Sequence, residues 1–225
     1  MAMSCHLDST NNLSRTSGIG VETAGITMAA WFRWTTATPA FNILYSIDDG
    51  GAHGLQLGAN NDGTTSYGIF YAGVYTELIH NPGLTWHFTA LTCLATGAPG
   101  VGTANVKAYV GDGSTSLTSV TYSQVAQGTG NKLWIGQDGF ADGGNGDYLG
   151  FRYWDRRLSD ADVANEYRRI MPASMQSLNT WLPLLNAQGP GVNRAGSGAN
   201  MTVAGTPTDS ASMPFGVMMG GRRRG

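Results

Sequence analysis

The sequence predicts an all-β fold, a two-sheet sandwich of the jelly-roll type with one short α-helix toward its C-terminal side. Three observations predict it. Apolar residues alternate with period two in short runs. Clusters of Gly, Asn and Asp separate those runs about every ten residues, as turns require. Only one stretch combines helical spacing with a start signal. A chain of 225 residues with 33 glycines, 8 prolines and 12% charged residues suits one such domain with a sizeable core.

In chain order, Ile26, Met28, Ala30, Phe32 and Trp34 alternate with Thr27, Ala29, Trp31 and Arg33, so one face of this strand is strongly apolar. Residues 41–47, 54–58, 67–71, 74–79, 86–94, 105–110 and 132–135 read as further strands. Between them stand Asp49-Gly50-Gly51, Asn61-Asp62-Gly63, Asn81-Pro82-Gly83, Gly97-Ala98-Pro99-Gly100 and Asp112-Gly113. From Gly150 to Trp154 an aromatic strand leads within a few residues into a helix start. Ser159 at the N-cap and Asp162 at N3 form the carboxylate variant of a capping box, and Asp160 and Asp162 sit at the positive helix end. The helix is expected over residues 160–171, stopped by Pro172, with Val163, Tyr167 and Ile170 on the face that docks on the sandwich.

Three segments follow from this pattern: a sandwich over residues 1–172, appended strands and loops over 173–211, and a Met-rich basic tail over 212–225. Leu178, Trp181, Leu182, Leu184 and Leu185 are the expected anchors of the appendage. Fifteen acids against thirteen Lys and Arg give a net charge of −2, which offers no general attraction to nucleic acid. Residues 1–25 hold Asp8 and no unbroken apolar run, so no secretion signal is expected, and no stretch is long and apolar enough to span a membrane. Cys5 and Cys93 lack any CxxC spacing. They read as buried free thiols, with pairing open if their strands are neighbours.

Taken together, five segments resemble the laminin-G-like branch of the concanavalin-A-like jelly rolls. They are Ile26-Thr27-Met28-Ala29-Ala30-Trp31-Phe32; Trp86-His87-Phe88-Thr89-Ala90; Val106 to Val110 followed by Asp112-Gly113; Leu133-Trp134-Ile135-Gly136; and Arg152 to Ser159 with Trp154 and Leu158. Order and spacing match over about residues 5–170. The resemblance implies the sandwich and packing roles for Trp31, Trp86 and Trp154. Where many relatives carry acidic residues before the arginine, this chain has Leu149 and Gly150. The segment from Leu178 to Thr206 looks like the opening strands of another such domain, with no room for the rest.

The loop Gly136-Gln137-Asp138-Gly139-Phe140-Ala141-Asp142-Gly143-Gly144 is similar to the calcium loop of the pentraxins, and Asp48-Asp49 falls where that family places its other acidic pair. The resemblance therefore implies Asp48, Asp49, Gln137 and Asp138 as calcium ligands, with Asp142 or Asp147 completing the shell of about six to eight oxygens. Glutamates that pentraxins use are missing, and the same residues also read as turn formers in solvated loops. Hydrolysis is not expected. A retaining glycosidase needs two carboxyls about 5 Å apart, whereas Glu22, Glu77 and Glu166 are dispersed. His6, His53, His80 and His87 have no neighbouring acid at ligand spacing, and His87 reads as a strand residue.

Aromatic rings stack on sugar faces, and Tyr67, Tyr71, Tyr75 and Tyr122 stand where a platform is conceivable. In the tail, Met213, Phe215 and Met218 are suited to a neighbour's groove, and Arg222, Arg223 and Arg224 to acidic or phosphate groups. Two function classes follow. The first is a non-enzymatic virion protein, a capsid-decoration or tail-associated adhesion component that forms homo-oligomers, contacts other virion subunits through its tail and engages surface glycans. The second is an extracellular, calcium-dependent carbohydrate-binding lectin domain. Neither involves a specific nucleic acid or a membrane.

Overall fold

In the computed structural model, the structure describes residues 4–8, 10–16, 19, 25–35, 42–48, 54–59, 66–71, 74–80, 83–94, 103–113, 117–125, 132–137 and 143–210. Within these, two antiparallel sheets face each other, as the alternating patterns require. The first sheet holds β3 (Ile26–Trp34), β8 (His87–Leu94), β9 (Thr103–Gly111), β10 (Thr118–Val125), β12 (Gly146–Trp154), β1 (Ser4–Leu7), β13 (Leu178–Leu182) and β15 (Thr208–Ser210). Its order is β10-β9-β8-β3-β12-β1-β15, and β13 lies beside the second half of β12, end to end with β1. The second sheet runs β14-β2-β11-β4-β5-β6-β7, made of β14 (Thr202–Ala204), β2 (Asn12–Arg15), β11 (Lys132–Ile135), β4 (Asn42–Asp48), β5 (Gly54–Ala59), β6 (Ser66–Tyr71) and β7 (Val74–His80).

The period of two in β3 explains the core directly. Ile26, Met28, Ala30, Phe32 and Trp34 point between the sheets and meet Leu13, Tyr45, Ile47, Leu57, Leu133 and Ile135 of the second sheet. Ala29 and Trp31 point the other way, into a second apolar layer with Phe88, Tyr109, Leu149, Trp154, Leu158, Val163, Tyr167 and Ile170. That layer lies under the helix α1 (Asp160–Tyr167). Each such aromatic or leucine side chain contributes about 1.5–3 kcal/mol by leaving water. Trp31, Trp86 and Trp154 are thus packing residues, and Tyr67 is fully buried against Phe32 and Trp34 rather than on a platform.

Ser159 caps α1 as expected: its hydroxyl accepts from the Asp162 N–H at 3.2 Å while the Asp162 carboxylate accepts from the Ser159 N–H at 3.2 Å. The helix stops at Tyr167, four residues before the expected end. The cause is Arg152, which is fully buried in β12. Its Nη1 donates to the Glu166 carbonyl at 3.2 Å and to Glu166 Oε2 at 3.0 Å, and its Nη2 donates to the Arg169 carbonyl. The Glu166 carbonyl takes the Arg169 N–H at 3.1 Å in a tighter turn as well as the guanidinium, and the chain leaves the α-helical path where it meets Arg152. The other Glu166 oxygen accepts from the N–H groups of Ala173 at 2.9 Å and Ser174 at 2.7 Å, which holds the chain beyond Pro172. Gly150 permits this approach: its φ is +63°, and a Cβ there would sit 2.9 Å from the Ile170 carbonyl oxygen.

Residues 173–210 are woven into both sheets, with β13 beside β12, β14 beside β2 and β15 beside β1. Arg15 secures them. Its guanidinium donates to Thr180 Oγ1 at 2.8 Å, to Asn179 Oδ1 at 2.7 Å and to the Ala199 carbonyl at 3.2 Å. Strands β1, β2 and β10 escaped the sequence pattern, since Ser-Cys-His-Leu, Asn-Leu-Ser-Arg and Thr-Ser-Val-Thr-Tyr-Ser-Gln-Val are polar-rich and the first two are short. Cys5 and Cys93 are buried free thiols, and burial pushes them up to about 12 and about 11.

Removing one partner of a buried ion pair leaves an uncompensated charge, so Glu166→Ala should lower the unfolding free energy by about 3–5 kcal/mol. The double variant Arg152→Met/Glu166→Ala should recover part of that loss. Denaturant melts of the two variants beside the wild type check both outcomes.

Candidate functional site

The helix packs on the first sheet, so polar chemistry on the second sheet's outer face comes from the strands themselves. In β11, Leu133 and Ile135 face the core and Lys132 and Trp134 face outward, as the pleat dictates. Cross-strand register then continues outward positions across all seven strands without a break: Thr202, Ser14, Trp134, Ser46, Gln56, Phe70 and Tyr75 are successive partners. The Lys132 ammonium lies 3.6 Å from the centre of the Trp134 ring. One pleat along β2, Asn12 Nδ2 donates to Gln137 Oε1 at 2.7 Å. Asn12 Oδ1 and Trp134 Nε1 are buried without a hydrogen-bond partner. The half-exposed Trp134 indole, with Lys132 over its face and half-exposed Ser14 as its cross-strand neighbour, forms a surface able to hold a ligand that stacks and hydrogen-bonds at once, whereas Ser46 in the same row is fully buried.

Of the calcium ligands implied by the pentraxin-like loop, the two described residues, Asp48 and Gln137, are not brought together. Asp48 pairs with Lys132 at one end of the β4–β11 ladder, whereas Gly136, next to Gln137, donates its N–H to Leu44 at the other end. At about 3.3 Å per residue the two backbones are roughly 15 Å apart, beyond what one ion with ligands at about 2.4 Å can bridge. Gln137 is already engaged by Asn12. Asp49, Asp138 and Asp142 lie outside the described residues, as do Met213, Phe215, Met218, Arg222, Arg223 and Arg224. Among the described residues no group of three or more His, Cys, Asp or Glu side chains could hold a metal. The part of the set that is described does not fit one calcium ion.

Asp147, the alternative completing ligand, has a different role. On the first sheet's outer face, beyond the end covered by the helix, register aligns Arg33, Asp147, His6 and Thr208 on four adjacent strands. Asp147 Oδ1 accepts from His6 Nδ1 at 3.0 Å, and Oδ2 accepts from Arg33 Nε at 3.1 Å, from Arg33 Nη2 and from Ser210 Oγ at 2.9 Å. These groups line an open cleft of about 390 Å³ together with Thr35, Thr208 and Asp209. Burial pushes the Asp147 carboxyl up, but the bonds from His6, Arg33 and Ser210 outweigh it and hold it below the usual carboxylate value. The bond to Asp147 raises the His6 imidazole, against a smaller opposing effect of burial.

No local motif announced this cluster, because its members come from sequence positions as far apart as 6 and 210. Along the chain His6 has Asp8 two residues away, but its hydrogen-bonded acid comes by strand pairing from 141 residues away. His87, by contrast, is buried with Nδ1 on the Thr85 carbonyl at 3.1 Å, and burial lowers its ring. Glu166 is locked to Arg152, and Glu77 lies exposed on β7, so no carboxyl pair of hydrolytic spacing arises from them. Of the tyrosines weighed as a platform, Tyr75 takes a position in the Trp134 row, Tyr67 is in the core, and Tyr71 and Tyr122 pair with Leu55 and Val106.

A family model described as the concanavalin A-like lectin/glucanases superfamily matches residues 8–164. No curated protein matches the chain. Among solved structures, a candidate carbohydrate-binding protein from Bacteroides ovatus is similar with a TM-score of 0.63 and 14% identity, over 94% of this chain and 61% of that one. Full-length tailspike protein 2 of an Escherichia coli O157:H7 bacteriophage is similar with a TM-score of 0.56 and 17% identity, over 80% of this chain and 26% of that one. The enzymatically active domain of bacteriophage CBA120 tailspike protein 2 gives 0.51 and 16%, over 78% and 28%. At these identities the likeness is one of fold, and the chain spans less than two thirds of each of these structures.

His6 gains its partner on folding, so its contribution to stability is complete below the ordinary imidazole value of 6.5 and is lost as pH rises through its raised folded value. The melting temperature of His6→Ala should therefore fall furthest below wild type at about pH 5.5 and approach it at about pH 8.5. Thermal melts of both proteins across that range check the sign.

Proposed function

The chain belongs to the concanavalin A-like lectin/glucanases superfamily, and on that premise we propose that it is a non-enzymatic adhesion module that holds saccharide on the outer face of its second sheet. One observation carries the reading: the half-exposed Trp134 indole, with the Lys132 ammonium over its face and half-exposed Ser14 beside it in the same outward row. A sugar ring takes the place of the Lys132 ammonium over the indole, and the displaced ammonium donates to a sugar hydroxyl. The half-exposed Ser14 hydroxyl, next to the indole in the row, meets a second sugar hydroxyl.

Binding without hydrolysis is supported by the state of the carboxyls. Glu166 is buried against Arg152, and both oxygens of Asp147 are occupied by protein donors. Neither is free to act as an acid or a nucleophile. The setting we propose is a virion surface, in a capsid-decoration or tail-associated assembly of several copies whose contacts run through the basic, Met-rich C-terminal segment. Likeness in fold to a phage tailspike protein supports this setting. The binding we propose needs no calcium, since Asp48 and Gln137 stand at opposite ends of their strand pair.

Trp134→Ala should weaken binding to a responsive glycan by at least about tenfold, the equivalent of ~1.4 kcal/mol, while a chelator leaves it unchanged. A glycan array followed by calorimetry measures both. Wild-type affinity in Trp134→Ala would remove the platform from consideration, and loss of binding in chelator would restore the calcium-dependent alternative.

A further inference from the structure

Three buried polar atoms without a hydrogen-bond partner among the described residues belong to rings that surround one side chain in the core. They are Trp34 Nε1, Tyr67 Oη and Tyr148 Oη, and none of the three residues is exposed. Phe32 meets all three rings edge-on, with centroids 4.5 Å from Trp34, 4.7 Å from Tyr148 and 6.3 Å from Tyr67. Trp34 also stacks on Tyr67 at 5.9 Å. Trp34 ends β3 and Tyr148 lies on β12, both in the first sheet, while Tyr67 comes from β6 of the second.

Register brings these groups to one level of the sandwich. A Cβ on Gly144 would lie 2.8 Å from Tyr148 Oη and 2.8 Å from the Ile43 carbonyl oxygen, so the Tyr148 hydroxyl reaches across to β4, and glycine at 144 leaves that approach clear. Ile43, Gly58 and Gly68 are successive partners across β4, β5 and β6, and Tyr67 is the residue before Gly68.

Charge and size select the ligand. A polar group sealed in a core without a partner loses its hydration and regains nothing. An indole N–H only donates, whereas a phenol donates and accepts. Burial pushes both phenols well above their usual value, so both stay neutral. His87, whose ring lies 5.4 Å from that of Tyr67, is held toward its neutral form by burial as well. A cation would therefore meet the indole N–H with no carboxylate to offset it, and an anion would find no positive charge. Water is neutral, small enough to be enclosed as the sheets close, and able to donate and accept at once.

We propose that Trp34 Nε1 and the hydroxyls of Tyr67 and Tyr148 bind internal water, which joins the first sheet to the second by hydrogen bonds through an otherwise apolar core. The site is independent of what the outer faces bind.

Thermal melts of Tyr67→Phe, Tyr148→Phe and the double variant, together with a high-resolution crystal structure of the full wild-type chain, test this. Each single variant takes a hydrogen bond from the bound water, so each should lower the melting temperature by about 2–4 °C. The double variant should lose less than the sum of the two, because the first removal already loosens the shared water. The crystal structure should show ordered water within about 3.2 Å of Trp34 Nε1 and of both hydroxyls. A rise in melting temperature in either single variant overturns the site, since a hydroxyl that is only a buried cost stabilises by its removal. Losses that add in full overturn the sharing of water between the two tyrosines. Aromatic rings closed against one another with no ordered water at these atoms overturn the proposal outright, and that observation needs no variant to fold.

Discussion

Arg152 is the constraint on which much of this molecule turns. A guanidinium with no solvent exposure needs partners within the protein, and for Nη1 and Nη2 the carbonyls of Glu166 and Arg169 and the Glu166 carboxylate serve that need, while Nε has no hydrogen-bond partner among the described residues. Satisfying it ends the helix at Tyr167, draws the following turn onto the sheet and aligns Ser174, whose carbonyl accepts from Trp154 Nε1 at 2.8 Å. Burial pushes the guanidinium down to about 10, which still leaves it charged at neutral pH. The second apolar layer around Trp31, Phe88 and Tyr167 exists because this polar clamp holds its lid in place.

That lid divides the first sheet's outer face. Over β12 from Leu149 to Trp154 the helix and its flanking turns cover an apolar surface; toward Gly146 the same strand presents Asp147 to His6, Arg33 and Ser210. One nine-residue strand therefore serves two outer environments, and the bulge around Gly150 is where it passes from one to the other. The second sheet bears no helix among the described residues and instead extends one outward row across seven strands. Binding chemistry is thereby kept apart from the elements that stabilise the sandwich.

Much of the fold was legible in residue pattern. The alternation in Ile26–Trp34 identified both faces of β3, the Ser159–Asp162 box located the start of α1, and Trp31, Trp86 and Trp154 were correctly read as packing. Helix length was not legible, because a strong apolar spacing continues to Ile170 while the competing demand of Arg152 comes from a different element. Short polar strands such as Ser4–Leu7 carry too little periodic signal, and they form because β12 and β15 offer them partners. The separation of Asp48 from Gln137 was not legible for a related reason: loop resemblance ties them together, but the antiparallel register of β4 and β11 carries them to opposite ends, while Asp49 and Asp138 lie outside the described residues.

By itself the sequence determined the class of structure, the direction in which the strand and helix side chains face, and membership in a family of sandwiches, because each of these follows from local spacing and local turn chemistry. Tertiary structure alone decided which polar groups meet. The Arg33–Asp147–His6 row joins residues from three strands, and the outward row from Thr202 to Tyr75 passes through seven. Contacts of that kind are set by strand order and register, which depend on how two whole sheets bury their apolar faces against each other and leave no trace in any single segment.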